Sequence, residues 1–250
     1  MLLQLQHYFH LDSEQLGVLS AYFYIPYVLM QIPVGLLVDR HGPKRWLAVA
    51  ALVSAIGALF FSFSTHLWEA KCGRLLIGLG ASFAFVGTLR IVTLWFDRSR
   101  FGFFAGLTQG VGMLGAAAGV GIMPLLISHW GWQDIMFSVG ILLAVFAVLI
   151  LLFVREKPIV SVLSAVSETG RVSLVQNMKT IFKSKMSWIN AVYAGLLYAP
   201  TAALGELWGT RFYHHVFGFT RQDAAVIISC IFFTVLTLLD LHPIPQRIYH

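Results

Sequence analysis

The sequence predicts an all-α, polytopic membrane helical bundle, and three observations lead there. Of the 250 residues, 58% are hydrophobic and 11% charged, with a mean hydropathy of +0.79; a soluble domain carries about a quarter charged residues. The apolar residues fall in blocks of roughly 16–27, which is spanning length at 1.5 Å rise per residue. The basic residues gather in alternate connections between those blocks, the asymmetry of a chain threaded through a bilayer. Helix follows because lipid offers no partner for an unpaired backbone amide, and barrel strands would show short alternating segments instead.

Seven apolar spans are read in order: Gln15 to Val38, Trp46 to Phe63, Cys72 to Phe96, Gly102 to Ser128, Ile135 to Val154, Trp188 to Phe212 and Ala224 to Leu239. The first twelve residues are too short and too polar to span. The first connection holds Arg40, Lys44 and Arg45, and the third holds Arg98 and Arg100. The fifth, 155–187, holds Arg155, Lys157, Arg171, Lys179, Lys183 and Lys185. Together these loops carry eleven of the seventeen basic residues, so they are expected on the cytoplasmic side of a cell membrane. That placement accounts for the net charge of +6 without nucleic acid. Lys71 falls in the second, poorly charged connection.

The fifth connection is the expected domain boundary. Residues 1–154 then form a first bundle of five spans and 155–187 a cytoplasmic linker, while 188–250 begin a second bundle of two spans with an irregular tail. Within the linker Leu174, Val175, Met178, Ile181, Phe182 and Met186 recur at helical spacing among Lys179, Lys183 and Lys185. That pattern predicts an amphipathic helix on the inner leaflet.

Other chemistries find little support. Cys72 and Cys230 lie in different apolar blocks, which is neither a disulfide framework nor a thiolate metal site. His7 and His10, and His214 and His215, form pairs without a third ligand, so no metal site and no enzyme are expected. No G-x-x-x-x-G-K-S/T loop is present to bind ATP.

The most informative stretch is Gly35-Leu-Leu-Val-Asp39-Arg40-His41-Gly42-Pro43-Lys44-Arg45. Gly35 and Asp39 are one helical turn apart and share a face at the end of the first span. Gly35 is expected to let a neighbouring helix approach closely. Asp39 is a carboxylate at the membrane boundary, costly unless paired or set at a helix N-terminus. Gly42 is expected to make a left-handed turn, and Pro43 to begin the next helix. This stretch resembles the loop signature of the major facilitator superfamily, G-x-x-x-D-R/K-x-G-R/K-R/K, with Pro43 standing where a basic residue is usual. The resemblance implies a gating motif of Gly35, Asp39, Arg40, Gly42, Lys44 and Arg45. A second stretch, Arg74-Leu-Leu-Ile-Gly78-Leu-Gly80-Ala81, resembles the family's fourth-helix pattern R-x-x-x-G-x-G-A. Arg90, sixteen residues beyond Arg74, reads as an arginine whose head reaches the inner boundary.

The span from Gly102 to Ser128 carries Gly106, Gly110, Gly112, Gly115, Gly119 and Gly121, small residues expected to pack helices tightly. Ala116 follows Gly115 where family antiporters carry proline. Ala81 and Ser82 stand where many relatives with the fourth-helix pattern have glutamate, which counts against proton coupling.

The resemblance covers the family's second to eighth helices, so it implies a major-facilitator-like bundle truncated at both ends. Its function would be secondary active or facilitative transport of a small organic solute by alternating access: an organic anion, a sugar acid or a small peptide. A transport-inactive remnant of such a carrier and a dipeptide uniporter-like carrier are the alternatives. The implied partners are a small-molecule solute, the lipid bilayer and a proton or other coupling ion, with no cofactor. Candidates for the solute site are Arg74, Gln109, Tyr24, Tyr27 and Gln31, with Tyr193, Tyr198 and Glu206 from the sixth span. Aromatic hydroxyls both stack and hydrogen-bond, and charges inside a span are functional by default.

Overall fold

The computed structural model describes residues 2–155, 182–200, 203–204, 208–220, 223–224, 226–228 and 230. Every regular element among them is helical: α1 (Leu2–Tyr8), α2 (Ser13–Leu29), α3 (Gln31–His41), α4 (Pro43–Ser62), α5 (Leu67–Trp95), α6 (Phe101–Phe153), α7 (Lys185–Pro200) and α8 (Gly209–Phe217), with a 3-10 turn at Arg98–Arg100. Packing divides the chain into two units, one of residues 1–109 with 122–157 and the other of 110–121 with 158–250.

Local chemistry sets the helix ends. Asp12 caps α2: its Oδ1 accepts from the Gln15 N–H at 2.7 Å, while the Asp12 N–H donates to Gln15 Oε1. At the start of α5, Glu69 Oε2 accepts from the Thr65 N–H at 2.7 Å and the His66 N–H at 3.0 Å. This capping box starts α5 at Leu67, ahead of the apolar run that begins at Cys72, so Lys71 belongs to the helix rather than to a loop.

The expected first span is two helices, α2 and α3, bent by 45°. Pro26 and Pro33 lack the N–H groups that would bond the carbonyls of Tyr22 and Leu29, which weakens the helix on both sides of Met30. The Met30 N–H still donates to the Pro26 carbonyl, and the Val34 N–H to that of Met30. α4 and α5 are long and apolar enough to cross a membrane, and so is the α6 segment.

An unbroken α6 would be about 80 Å long, far more than the bilayer's apolar core of about 30 Å. It reverses at Gly131, whose φ of 81° and ψ of 162° are non-helical and suit a residue without Cβ. The contacts fix the reversal. Phe104 stacks on Phe96 beside the end of α5, whereas Ile127 joins Leu5, Leu16, Phe61 and Ala70 at the opposite end. Trp132 lies edge-on to Phe61, Gly140 abuts Leu59, and Ile150 returns to Val34, Val38 and Leu47. The six-residue connection expected from 129 to 134 is therefore a turn at one glycine.

α1 packs where the sequence placed a polar leader. Leu5 and Leu11 are buried, Gln4 Nε2 donates to the Ile127 carbonyl, and Tyr8 meets Trp132 edge-on.

The centre of the first unit is the antiparallel pair α4·α5. Gly73, Gly80 and Gly87 recur every seven residues on the α5 face turned toward α4, the spacing of a coiled-coil seam. A Cβ on Gly80 would collide with Ser54 Oγ and the Ala50 carbonyl, one on Gly73 would sit 2.8 Å from Phe61 Cβ, and one on Gly87 2.6 Å from Leu47. Gly78, on another face, lies against the Phe23 carbonyl of α2. Ser54 Oγ donates to the Ile77 carbonyl across the seam at 3.4 Å. Two expectations are corrected. Among the described residues nothing approaches the Cβ position of Gly35, nor that of Gly106, Gly112, Gly115 or Gly119. A small residue permits a close approach but cannot summon a partner helix.

In the second unit, Met113 and Ile228 are buried with Tyr213, Ala116, Ala117 and Val120 around them. α8 ends at Gly218 in the left-handed conformation. The amphipathic stretch from Leu174 lies largely outside the described residues, as does most of the span from Ala224 to Leu239.

The seam makes a stability prediction. Gly80→Leu should cost more than the about 1–3 kcal/mol of an overpacked flexible core, because the clash is with backbone. Gly106→Ala should change stability by less than about 0.5 kcal/mol. Thermal unfolding of the detergent-purified protein reads both, and equal midpoints for the two variants would refute the seam.

Candidate functional site

The loop after α3 builds the first cluster. Gly42 has φ 84° and ψ 152°, so it occupies an extended region of positive φ open essentially to glycine, rather than the left-handed helical turn expected. Pro43 is the first residue of α4, where its missing N–H costs nothing. Asp39 lies in the last turn of α3, where the helix dipole disfavours a carboxylate. Arg90 of α5 offsets this: its Nε donates to Asp39 Oδ1 at 3.1 Å. Arg90 was expected only to reach toward the boundary; instead it tethers α3 to α5. The pairing was hidden because no spacing rule links positions on helices separated by α4. With side-chain exposures of 31% and 62%, the pair is solvent-accessible and contributes under about 1 kcal/mol. It joins the two helices weakly. Nearby, His41 Nδ1 meets the Leu37 carbonyl at 3.3 Å and its ring stands edge-on to Trp46, which stacks on Phe83. Arg40 and Arg45 are exposed and Lys44 half-buried, leaving a basic rim around the turn.

The second cluster lies nearer the other end of α5. The Arg74 guanidinium stands over the Phe23 ring, with Cζ 5.6 Å from its centroid. Phe23 in turn stacks on Tyr27 at 5.9 Å and meets Tyr24 edge-on at 5.1 Å. Gly78 makes this possible, since the α2 backbone at Phe23 rests directly on it. A cation over a ring is worth about 0.5–2 kcal/mol, and more as water is excluded. A guanidinium carries a planar fork of donors suited to carboxylate-like groups. Gln31 joins from below: its Nε2 donates to the Tyr27 carbonyl at 3.2 Å, bridging the bend at Met30.

The structure thus brings Tyr24, Tyr27 and Arg74 together around Phe23, which the sequence reading had not singled out. Gln109 is half-buried on α6. Tyr193 and Tyr198 are exposed on α7, in the second unit. Glu206 lies outside the described residues. Among those residues, no group of three or more His, Cys, Asp or Glu side chains converges as a metal site would.

The described helices of the first unit form an apolar bundle that holds charge at two depths along α5. The model of the Major Facilitator Superfamily matches residues 1–241, and the chain belongs to that family. It is similar to a probable sulfoacetate transporter of Cupriavidus necator, 27% identical over 59% of this chain and 34% of that protein. A nitrite extrusion protein of Bacillus subtilis is 23% identical over 92% of this chain and 55% of its own length. A probable galactarate/D-glucarate transporter of the same organism is 32% identical over 56% of this chain and 33% of its length. The chain spans about a third to about half the length of these curated relatives.

The Asp39–Arg90 contact predicts a coupling that a double-mutant cycle reads. D39N and R90Q should each weaken thermal stability slightly, and the double variant should cost less than their sum, by a few tenths of a kcal/mol. The exchanged pair D39R/R90D should recover part of the loss. Strict additivity of the single effects would contradict the contact.

Proposed function

We propose that this chain carries the solute-binding and gating parts of a secondary or facilitative carrier for small organic anions that works by alternating access. The observation that carries the reading is Arg74, a guanidinium within a membrane-crossing helix, held over the ring of Phe23. A cation at that depth is costly, and a bound anion offsets the cost through paired, charge-assisted hydrogen bonds. Tyr24 and Tyr27 supply hydroxyl groups beside it. The three relatives point the same way, since sulfoacetate, nitrite and the sugar diacids are all anions.

The basic loops face the cytoplasm in this reading, because they hold eleven of the seventeen Lys and Arg residues. Asp39 and Arg90 then sit at the inner mouth as a gating contact. Its weakness suits the task, because a contact worth under about 1 kcal/mol holds one state without trapping it. The bend at Met30 separates the gate from the solute cluster and lets α3 move against α2, as hinged elements do. Arg40, Lys44 and Arg45 anchor the loop at the surface.

Uptake of labelled sulfoacetate and D-glucarate into proteoliposomes tests the reading. Losing a charge-assisted contact worth about 1.5–3 kcal/mol should cut apparent affinity about 10- to 100-fold in R74Q. R74K should retain part of it. Wild-type flux of neither anion, or R74Q flux equal to wild type, would overturn the assignment.

A further inference from the structure

Lys71 takes no part in the site described so far. The capping box at Thr65 to Glu69 starts α5 early enough to place Lys71 one turn before Arg74 on the same helix, about 4.5 Å along its axis. The two cations are held alike. Lys71 Nζ lies 5.5 Å from the centroid of Tyr22, and Arg74 Cζ 5.6 Å from that of Phe23. Consecutive aromatic residues of α2 therefore support consecutive cations of α5, all four half-buried.

Glu69, the carboxylate nearest Lys71 and Arg74 in sequence, is engaged elsewhere: its Oε2 accepts from the backbone N–H groups of Thr65 and His66. Like charges one turn apart on a helix repel. Ring faces ease that repulsion but satisfy none of the N–H donors, because a ring attracts charge without offering a lone-pair acceptor in the plane. Two cations one turn apart on α5, each over a ring, suit a ligand that carries two negative groups.

We infer that Lys71 and Arg74 form a two-cation site for a short dianion, with two oxyanion groups joined by a bridge of a few carbons. Arg74, deeper in the helix, takes one group in its planar fork. Lys71, nearer the helix start, takes the other as a point charge. The inference rests on the anion-carrier reading and adds the valence and span of the solute.

Binding to the full chain in detergent separates the possibilities, read as the ligand-induced rise in thermal midpoint. The probes are succinate and glutarate as dianions, with butyrate and pentanoate as monoanions of matching length. Wild type should bind the dianions at least about tenfold more tightly than the monoanions. K71Q should bring that ratio close to one, whereas K71R should keep it. R74Q should weaken binding of both kinds about 10- to 100-fold. If K71Q keeps the wild-type ratio while R74Q weakens binding, the two-cation site is wrong and the anion-carrier reading stands. Equal binding of dianions and monoanions by wild type also overturns the two-cation site. If wild type binds none of the four, the anion-carrier reading and this inference fall together.

Discussion

Gly73, Gly80 and Gly87 recur at seven-residue intervals on α5, and the backbone approach they allow to α4 sets the register for the first unit. In lipid no hydrophobic drive presses helices together, so close backbone contact and interhelical hydrogen bonds must hold them. The seam supplies both, through the buried glycines and the Ser54 hydroxyl on the Ile77 carbonyl. α5 also meets α2 where Gly78 receives the Phe23 backbone. With α5 thus held on two faces, its charged residues stand at fixed depths against fixed partners.

Those partners differ in kind, and the difference matters. Arg74 and Arg90 lie sixteen residues apart, about 24 Å along one helix axis. Arg74 is held over the ring of Phe23, which offers no in-plane acceptor to its N–H groups. Arg90 is held by a carboxylate, a contact that partly satisfies its donors and tethers α3. One arrangement suits binding, the other a reversible join. Between them the prolines at 26 and 33 loosen the α2–α3 helix at Met30, and Gln31 clasps the Tyr27 carbonyl across the bend.

Much of this was legible beforehand, for local reasons. The turn at Gly42 and Pro43 could be read because glycine and proline act on their own dihedrals. The spans followed from run length, and the charged loops from position. Lys71 was misplaced because hydropathy marks where an apolar run begins, whereas the T-H-x-x-E capping box marks where the helix begins, and only the latter moves the boundary to Leu67. Run length and the polar residues His129, Gln133 and Asp134 predict a six-residue loop at this reversal, yet those residues sit on helix on either side of Gly131. Gly35 and Gly80 look alike in sequence; one faces open space and the other faces Ala50 and Ser54.

Helical membrane class, the clustering of basic residues and the family signature are written in short stretches, because run length, capping and φ preference act over one or two turns. Which glycine meets a neighbour, which arginine finds Asp39 and which rings lie beneath Lys71 and Arg74 were decided only when α2, α3 and α4 came to rest on α5. A side chain's identity limits what it can bond to. Its partner is chosen by the depth and rotation of another helix, and no local rule carries that information.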